Sequence, residues 1–130
     1  MSAAIGKKTL VVDDHELCRL VVRMILEDVF DVAEAECSDE ALELVETWHP
    51  DLVIQDIARP GIDGYEFLTL LKKSHPSLPV IILTAYIDRQ RSLDAGAFAH
   101  LFKPLADRDA ILNIVNAALS NSRSASPPDR

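Results

Sequence analysis

Three aspartates are candidates for a cation-binding or phosphoryl-accepting site. Asp13 and Asp14 directly follow the apolar segment 9–12, and Asp56 ends the mainly apolar segment 51–56. Short apolar runs bounded by turn-forming residues are typical of buried parallel strands. The carboxyl ends of such strands meet at one edge of a sheet, where open α/β folds place their ligands. Carboxylates gathered at that edge would repel one another, so they would all stay ionised only if a cation joined them.

Two further predicted strands also end in polar residues that would reach the same edge. Thr84 follows the fourth strand and Lys103 follows the fifth. Mg²⁺ suits this set of side chains, because it prefers oxygen ligands and is commonly held by one or two carboxylates together with phosphate oxygens. With Mg²⁺ present, an aspartate can act as a nucleophile towards phosphorus while the metal and Lys103 neutralise the developing charge. Thr84 would then hydrogen-bond a phosphoryl oxygen.

Strand-like and helix-like segments alternate along the chain and would position these residues. The predicted strands are 9–12, 30–35, 51–55, 79–83 and 97–102, and the predicted helices are 15–28, 38–48, 65–73, 88–95 and 107–119. Ser38 is expected to be the N-cap of the second helix, and Gly96 suits a left-handed cap after the fourth. The first helix is predicted from apolar residues at helical spacing: Leu17, Leu20, Val21, Met24 and Ile25. Met24 among them is expected to fill space in the core.

This alternation predicts an α/β fold in which right-handed crossovers place helices on both faces of a parallel sheet. We take the flavodoxin-like, doubly wound (βα)5 order 2-1-3-4-5 from that fold group, since it is one of the two common orders. It puts the first and third strands side by side, so that Asp13, Asp14 and Asp56 converge. The expected organisation is an N-terminal extension over 1–8, one domain over 9–120, and a disordered tail or linker stub over 121–130.

Composition excludes several classes of function. The formal net charge is −8 and the basic residues form no extended run, so direct nucleic-acid binding is not expected. No apolar stretch has the roughly 20 residues that a bilayer span needs, and the N-terminus does not resemble a signal peptide. A cytoplasmic location is the expectation. Cys18 and Cys37 lack a metal-ligand spacing and are expected to be reduced thiols.

Taken together and in order, the motifs resemble the receiver domain of two-component response regulators. The resemblance runs from about Thr9 to Leu119, and each motif alone would be weak. The motifs are the acid pair Asp13-Asp14, Asp56 with the following Pro60-Gly61-Ile62-Asp63-Gly64 loop, Leu83-Thr84-Ala85, Ala95-Gly96-Ala97 and Lys103-Pro104.

The resemblance implies a role for each residue of the site. A sensor histidine kinase or a histidine phosphotransfer protein would pass a phosphoryl group from its phosphohistidine to Asp56, and Mg²⁺ would be required. Asp14 and Asp56 would bind the metal directly, Asp13 mainly through water, and the backbone carbonyl of Ala58 would be a further ligand. Thr84 and Lys103 would contact the phosphoryl group.

The resemblance also implies how the signal leaves the domain. The region of the fourth helix, fifth strand and fifth helix, residues 88–119, would change its binding to a downstream protein. A phosphorylation-linked dimer is a further assembly that the resemblance allows. The domain would catalyse its own phosphorylation and dephosphorylation without being a conventional enzyme. The initiating Met close before the first strand favours a stand-alone regulator over a receiver cut from a larger hybrid kinase or multidomain regulator.

Several positions depart from the family pattern. His100 occupies the switch position that is usually Tyr or Phe, Arg59 replaces an apolar residue, and Ala58 and Tyr86 flank the site where the family tunes autodephosphorylation. A degenerate receiver that acts only as a binding module therefore stays open as an alternative.

Two other classes rank lower. A flavodoxin-like cofactor binder is disfavoured because the acids after the first strand would repel a phosphate. A phosphatase with an aspartate nucleophile would carry a second acid where Ala58 stands. His15, His49 and His75 are expected to be exposed residues without carboxylate partners at ligand spacing.

Overall fold

The computed structural model describes residues 7–56, 64–84, 89–102 and 108–124. Within these ranges strands and helices alternate, as the sequence predicts. The strands are β1 (Lys8–Val12), β2 (Asp31–Ala35), β3 (Leu52–Gln55), β4 (Val80–Thr84) and β5 (Ala99–Phe102). The helices are α1 (Glu16–Leu26), α2 (Ser38–Trp48), α3 (Gly64–Ser74), α4 (Arg89–Asp94) and α5 (Arg108–Ser124). Among these helices, none is long and apolar enough to cross a membrane.

All five strands form one parallel sheet in the order β2-β1-β3-β4-β5. The predicted doubly wound fold is therefore confirmed. β1 lies between β2 and β3, and Val12 is the register partner of both Ala35 and Gln55. The residues that follow Val12 and Gln55 consequently emerge side by side at the carboxyl edge of the sheet.

The sheet is buried on both faces because its side chains alternate between two hydrophobic clusters. One cluster joins the strands to α2 and α3: Leu10, Val12, Val53, Val80 and Ile82 with Ala41, Val45, Phe67, Leu68 and Leu71. The other joins them to α1 and α5: Val11, Leu52, Ile54, Ile81 and Leu83 with Val22, Leu26, Ile111, Val115, Ala118 and Leu119. The three-layer arrangement holds the strand ends, and hence the site, on a rigid base.

The apolar residues whose spacing predicts α1 lie mostly outside the core, and the prediction that Met24 fills space in the core was wrong. Four of the five apolar residues are exposed, with fractions of 71% at Leu17, 45% at Leu20, 40% at Val21 and 60% at Met24. Only Ile25 packs against the core, from a partly buried position. The buried residues of α1 are Arg19, Val22 and Leu26. The periodicity did not reveal this because the helix carries a second apolar stripe, completed by an arginine whose polar atoms find partners in the fold.

We expect Met24→Lys to change the free energy of unfolding by less than about 0.5 kcal/mol, because Met24 is 60% exposed. Leu26→Ala on the opposite face is the matched core substitution and should cost about 2–5 kcal/mol. Urea denaturation followed by far-UV circular dichroism measures both. A loss above about 2 kcal/mol for Met24→Lys would instead place this side chain in the core.

Two helix ends also differ from the prediction. Ser38 is the first residue of α2 rather than its N-cap, which is Cys37 in extended conformation. α5 continues to Ser124 and not only to Leu119, so residues 121–124 of the predicted tail are helical. The chain has no proline or glycine between Leu119 and Ser124, so this segment contains no residue that would interrupt the helix. Gly96 follows α4 with φ of 109°, a positive value, as the sequence predicts.

Candidate functional site

Four residues at the carboxyl edge of β1 and β3 form a compact cluster. Asp13, Asp14, His15 and Asp56 each offer one oxygen or nitrogen atom, and these atoms all lie within 4.8 Å of one another. The Asp13 amide donates to the Ala35 carbonyl at 3.1 Å, and the Asp56 amide donates to the Val12 carbonyl at 3.0 Å. These bonds extend the strand ladders by one residue, so the sheet register itself brings the two acids together.

Two of the three carboxylates of this cluster are almost completely buried, whereas the Asp14 side chain is 27% exposed. Asp13 is 3% exposed and Asp56 is 4% exposed. At 4.8 Å and an effective dielectric constant of about 20, two unit charges repel by about 3 kcal/mol. A cation bound between the oxygens relieves such repulsion.

The surroundings of one Asp14 oxygen indicate whether the cluster suits a cation. Asp14 Oδ1 is buried and receives no hydrogen bond from the residues that the structure describes. The His15 Nδ1 atom lies 3.3 Å away but is not in hydrogen-bonding geometry. A buried carboxylate oxygen without a donor, facing other carboxylates, matches the preference of Mg²⁺ for oxygen ligands. The residues present therefore fit a hard divalent cation.

His15 contributes to the cluster in a way the sequence analysis missed. Its side chain is 64% exposed as expected, but Nδ1 lies 3.4 Å from Asp13 Oδ1 and 3.3 Å from Asp14 Oδ1. Its backbone amide donates to Asp13 Oδ1 at 2.9 Å, which is the turn that an aspartate commonly forms two residues ahead. The prediction that His15 lacks a carboxylate partner was wrong. His75 also has one, because its Nε2 lies 2.9 Å from Glu46 Oε2.

A charged network on β2 and α1 supports the cluster from behind. Glu34 on β2 accepts hydrogen bonds from Arg19 Nε at 2.9 Å and from Arg23 Nη1 at 2.9 Å. Arg19 Nη1 also donates to the Asp13 backbone carbonyl at 2.7 Å. Burial alone would raise the pKa of Glu34, but the hydrogen bonds and charges of the two arginines outweigh it and lower that pKa. Opposing effects act on Arg19, where burial lowers the pKa but the pairing with Glu34 leaves it raised.

We expect Glu34→Gln to destabilise the fold by about 1–3 kcal/mol at neutral pH, since it removes a charged acceptor shared by two arginines. Because the pKa of Glu34 is lowered in the folded state, its contribution is present above the unfolded value of about 4.3 and disappears as pH falls through the folded value. Urea denaturation at several pH values between about 7 and 3 measures this difference. The free energies of unfolding of the variant and the wild type should converge at the acid end of the range. Glu43→Gln, on the exposed face of α2, is the control; a gap that stays constant with pH would contradict the ion-pair explanation.

The other predicted site residues are only partly within the described ranges. Thr84 ends β4, is fully buried, and pairs in register with Phe102 at the end of β5. Since Gln55 pairs with Ile82, Thr84 lies on the same edge of the sheet as Asp56. His100 lies on β5 and is buried. The predictions for Ala58, Arg59, Tyr86 and Lys103 lie outside the described residues.

The strand order of the parallel sheet defines a doubly wound protein. The acidic cluster follows β1 and β3, which is the topological switch point where such proteins bind their ligands. The comparison with protein families gives the narrower assignment. Residues 9–116 match the model described as "Response regulator receiver domain". The chain belongs to that family, as its motifs predict.

Relatives and solved structures agree with this assignment. The chain is 35% identical over 122 residues to the DNA-binding transcriptional regulator NtrC of Klebsiella pneumoniae, covering 91% of this chain and 26% of that protein. It is 36% identical over 114 residues to the transcriptional regulatory protein PdtaR of Mycobacterium tuberculosis, covering 84% and 55%. The chain thus spans less than two thirds of the length of these curated relatives. A CheY-like receiver domain from Methanospirillum hungatei JF-1 superposes with a TM-score of 0.85 at 28% identity, covering 93% of this chain and 99% of that one.

Proposed function

We propose that this chain is a phosphorylation-dependent signalling switch whose phosphoryl acceptor is Asp56. The donor would be a phosphohistidine on a sensor histidine kinase or a histidine phosphotransfer protein. The observation that carries the proposal is the acidic cluster. Carboxylate oxygens of Asp13, Asp14 and Asp56 lie within 4.8 Å of one another, and Asp13 and Asp56 are nearly buried. Membership of the receiver family supports the same reading.

The residues around Asp56 would divide the work of binding and transfer. In this proposal Asp14, Asp56 and the Ala58 carbonyl hold Mg²⁺ directly, while Asp13 acts through water. When bound, Mg²⁺ would offset the charge of the carboxylates and of the incoming phosphoryl oxygens. The Thr84 hydroxyl would donate to a phosphoryl oxygen, and the Lys103 ammonium would neutralise another.

The transfer itself is a substitution at phosphorus. A carboxylate oxygen of Asp56 attacks the phosphorus and forms a P–O bond, while the P–N bond of the phosphohistidine breaks and its electron pair returns to the imidazole. The product is an acyl phosphate on Asp56. Attack by water on the phosphorus would release inorganic phosphate and restore the carboxylate.

The exposed apolar face of α1 offers a surface for the phosphodonor. It consists of Leu17, Leu20, Val21 and Met24, and α1 begins one residue after His15 of the acidic cluster. An apolar stripe at the i, i+3, i+4 and i+7 positions is the pattern that packs between other helices. A helical donor docked there would bring its phosphohistidine to the side of the site where Asp14 lies.

The output is part of the same proposal. Phosphorylation would alter how the α4–β5–α5 region binds a downstream protein, with Thr84 and His100 relaying the change. A phosphorylation-linked dimer would use the same region. We propose a cytoplasmic location, in keeping with the free thiols of Cys18 and Cys37. Direct nucleic-acid binding by this domain is not part of the proposal, given the net charge of −8.

A test needs only the purified chain and a small phosphodonor such as acetyl phosphate. We expect the intact mass to increase by one phosphoryl group in MgCl2 and to stay unchanged in excess EDTA. A receiver of established activity, treated in parallel, confirms that the donor and buffer are competent. If the chain stays unlabelled while that receiver is labelled, the proposal fails and the chain is better described as a degenerate receiver that only binds partners.

A further inference from the structure

Arg19 is a buried arginine that the proposed phosphoryl transfer does not use. It is 8% exposed although its helix leaves four apolar side chains in solvent. Burial of a guanidinium is unfavourable unless its N–H groups are satisfied by acceptors, preferably charged ones. A sequence that buries Arg19 and exposes Leu17 and Met24 therefore uses the arginine for something that an apolar residue could not do.

The contacts of Arg19 join two structures that are separate in the chain. Nε donates to Glu34 Oε1 on β2 at 2.9 Å, and Nη1 donates to the Asp13 backbone carbonyl at 2.7 Å. The guanidinium is planar, so the directions of these two N–H groups are fixed relative to each other. Arg23 binds the other oxygen of Glu34 at 2.9 Å and does not compete for the oxygen that Arg19 uses. The planar Arg19 guanidinium thus links the Asp13 carbonyl to Glu34 on β2 and restricts the position of the carbonyl.

The orientation of the Asp13 carbonyl is coupled to the orientation of the Asp13 and Asp14 side chains. The carbonyl belongs to the same planar peptide unit as the Asp14 amide, so a rotation of this unit would change ψ of Asp13 and φ of Asp14, the backbone dihedral angles next to the two acidic side chains. The Asp13 amide on its other side is fixed by the Ala35 carbonyl at 3.1 Å. The Asp13 carboxylate accepts from the His15 amide at 2.9 Å. Arg19 adds a further constraint on the loop between β1 and α1, through its hydrogen bond to the Asp13 carbonyl.

We propose that Arg19 is a positioning residue of the metal site: by holding the Asp13 carbonyl it fixes the directions of the Asp13 and Asp14 carboxylates towards Asp56, and thereby sets the affinity of the site for Mg²⁺. The inference rests on the proposed function, because it takes these carboxylates as the metal-binding groups. Groups that orient metal-binding residues typically contribute about 10- to 100-fold to metal affinity.

Arg23 provides a matched control. It pairs with the same Glu34 and also with Glu27, at 3.3 Å, but among the described residues it makes no contact with Asp13. Loss of either arginine would weaken the ion-pair network of α1 and β2. Loss of Arg19, unlike loss of Arg23, would remove a hydrogen-bond donor from the Asp13 carbonyl. A purely structural role would therefore give similar results for the two arginines.

The experiment compares Arg19→Met with Arg23→Met by calorimetric titration of the metal-free, folded proteins with MgCl2. We expect Arg19→Met to bind Mg²⁺ about tenfold more weakly than the wild type, and Arg23→Met to stay within about twofold. Wild-type affinity in a folded Arg19→Met protein would overturn the proposal. Should Arg19→Met fail to fold, Arg19→Lys replaces it, because lysine keeps the charge near Glu34 but lacks the planar fork.

Amide hydrogen exchange in the absence of metal separates this inference from the proposed function. The His15 amide, which donates to Asp13 Oδ1, is expected to exchange faster in Arg19→Met than in Arg23→Met. If the wild type does not bind Mg²⁺ at all, the proposed metal site fails, and this exchange measurement alone decides the role of Arg19. Equal protection of His15 in the two variants would then reject positioning by Arg19.

Discussion

Asp56→Asn is expected to abolish covalent phosphorylation while the fold is retained. The amide has nearly the shape of the carboxylate but lacks the anionic oxygen that attacks phosphorus. Asp56 is almost fully buried at the end of β3, so its isosteric replacement leaves the packing of the site intact. Intact-mass measurement after treatment with acetyl phosphate and MgCl2 should show one added phosphoryl group on the wild type and none on the variant. Undiminished labelling of the variant would assign the acceptor to another residue.

The same substitution should also stabilise the metal-free protein. It removes one negative charge from a cluster whose ligand atoms lie within 4.8 Å, where each pairwise repulsion is about 3 kcal/mol before other neighbours offset it. We therefore expect the free energy of unfolding to rise by about 1–3 kcal/mol in EDTA. Asp31→Asn, an exposed aspartate at the start of β2, is the control and should change it by less than about 0.5 kcal/mol. If Asp56→Asn were instead less stable than the wild type in EDTA, the interactions of the Asp56 carboxylate in the metal-free protein would be favourable on balance and not repulsive.

The fold could be predicted from the sequence because its strands carry a strong and simple signal. Runs such as 52–54 and 79–83 are apolar without alternation, a pattern that is typical of strands covered on both faces. Acids directly after two such runs then place themselves at one edge of the sheet. The strand order was adopted from a fold group, and the structure confirms it. The positions of Asp13, Asp14 and Asp56 thus follow from local sequence and parallel topology.

The support behind the site could not be predicted, because it depends on contacts between distant parts of the chain. Arg19 and Glu34 are 15 residues apart and meet only when α1 packs beside β2. Periodicity treats arginine as a surface residue, so it did not indicate that the buried face of α1 contains Arg19. His15 is different, since its place directly after two aspartates was a local signal that could have been used. The missed features are those in which polar groups satisfy one another.

The two faces of α1 give this helix a connecting position in the molecule. Arg19 and Arg23 anchor one side to Glu34 on β2, and Arg19 extends that anchor to the Asp13 carbonyl. The other side presents apolar residues to solvent. A phosphodonor that docks on the apolar face would therefore bind an element already fixed to the acidic cluster. Because α1 would carry the docking surface and is fixed to the acidic cluster, docking would place the phosphohistidine accurately relative to the site.

Mg²⁺ is expected to stabilise the wild type strongly and Asp14→Asn much less. A ligand that binds only the folded state adds RT ln(1 + [L]/Kd), which is about 2.7 kcal/mol at 100 times Kd. In the proposed site Asp14 is a direct ligand, and its buried Oδ1 receives no hydrogen bond among the described residues. Asparagine there keeps a carbonyl oxygen but loses the charge, so most of the gain should disappear.

Urea denaturation over increasing MgCl2, with KCl added to hold the ionic strength constant, measures this gain. Asp39→Asn, an exposed aspartate in the first turn of α2, should gain as much from Mg²⁺ as the wild type. In EDTA we expect Asp14→Asn to be at least as stable as the wild type, because one charge of the repulsive cluster is gone. The sign of its difference from the wild type should therefore reverse as Mg²⁺ rises. A gain in Asp14→Asn equal to that of the wild type would mean that the cation is bound elsewhere, since a carboxylate that holds Mg²⁺ directly cannot be neutralised without loss of affinity.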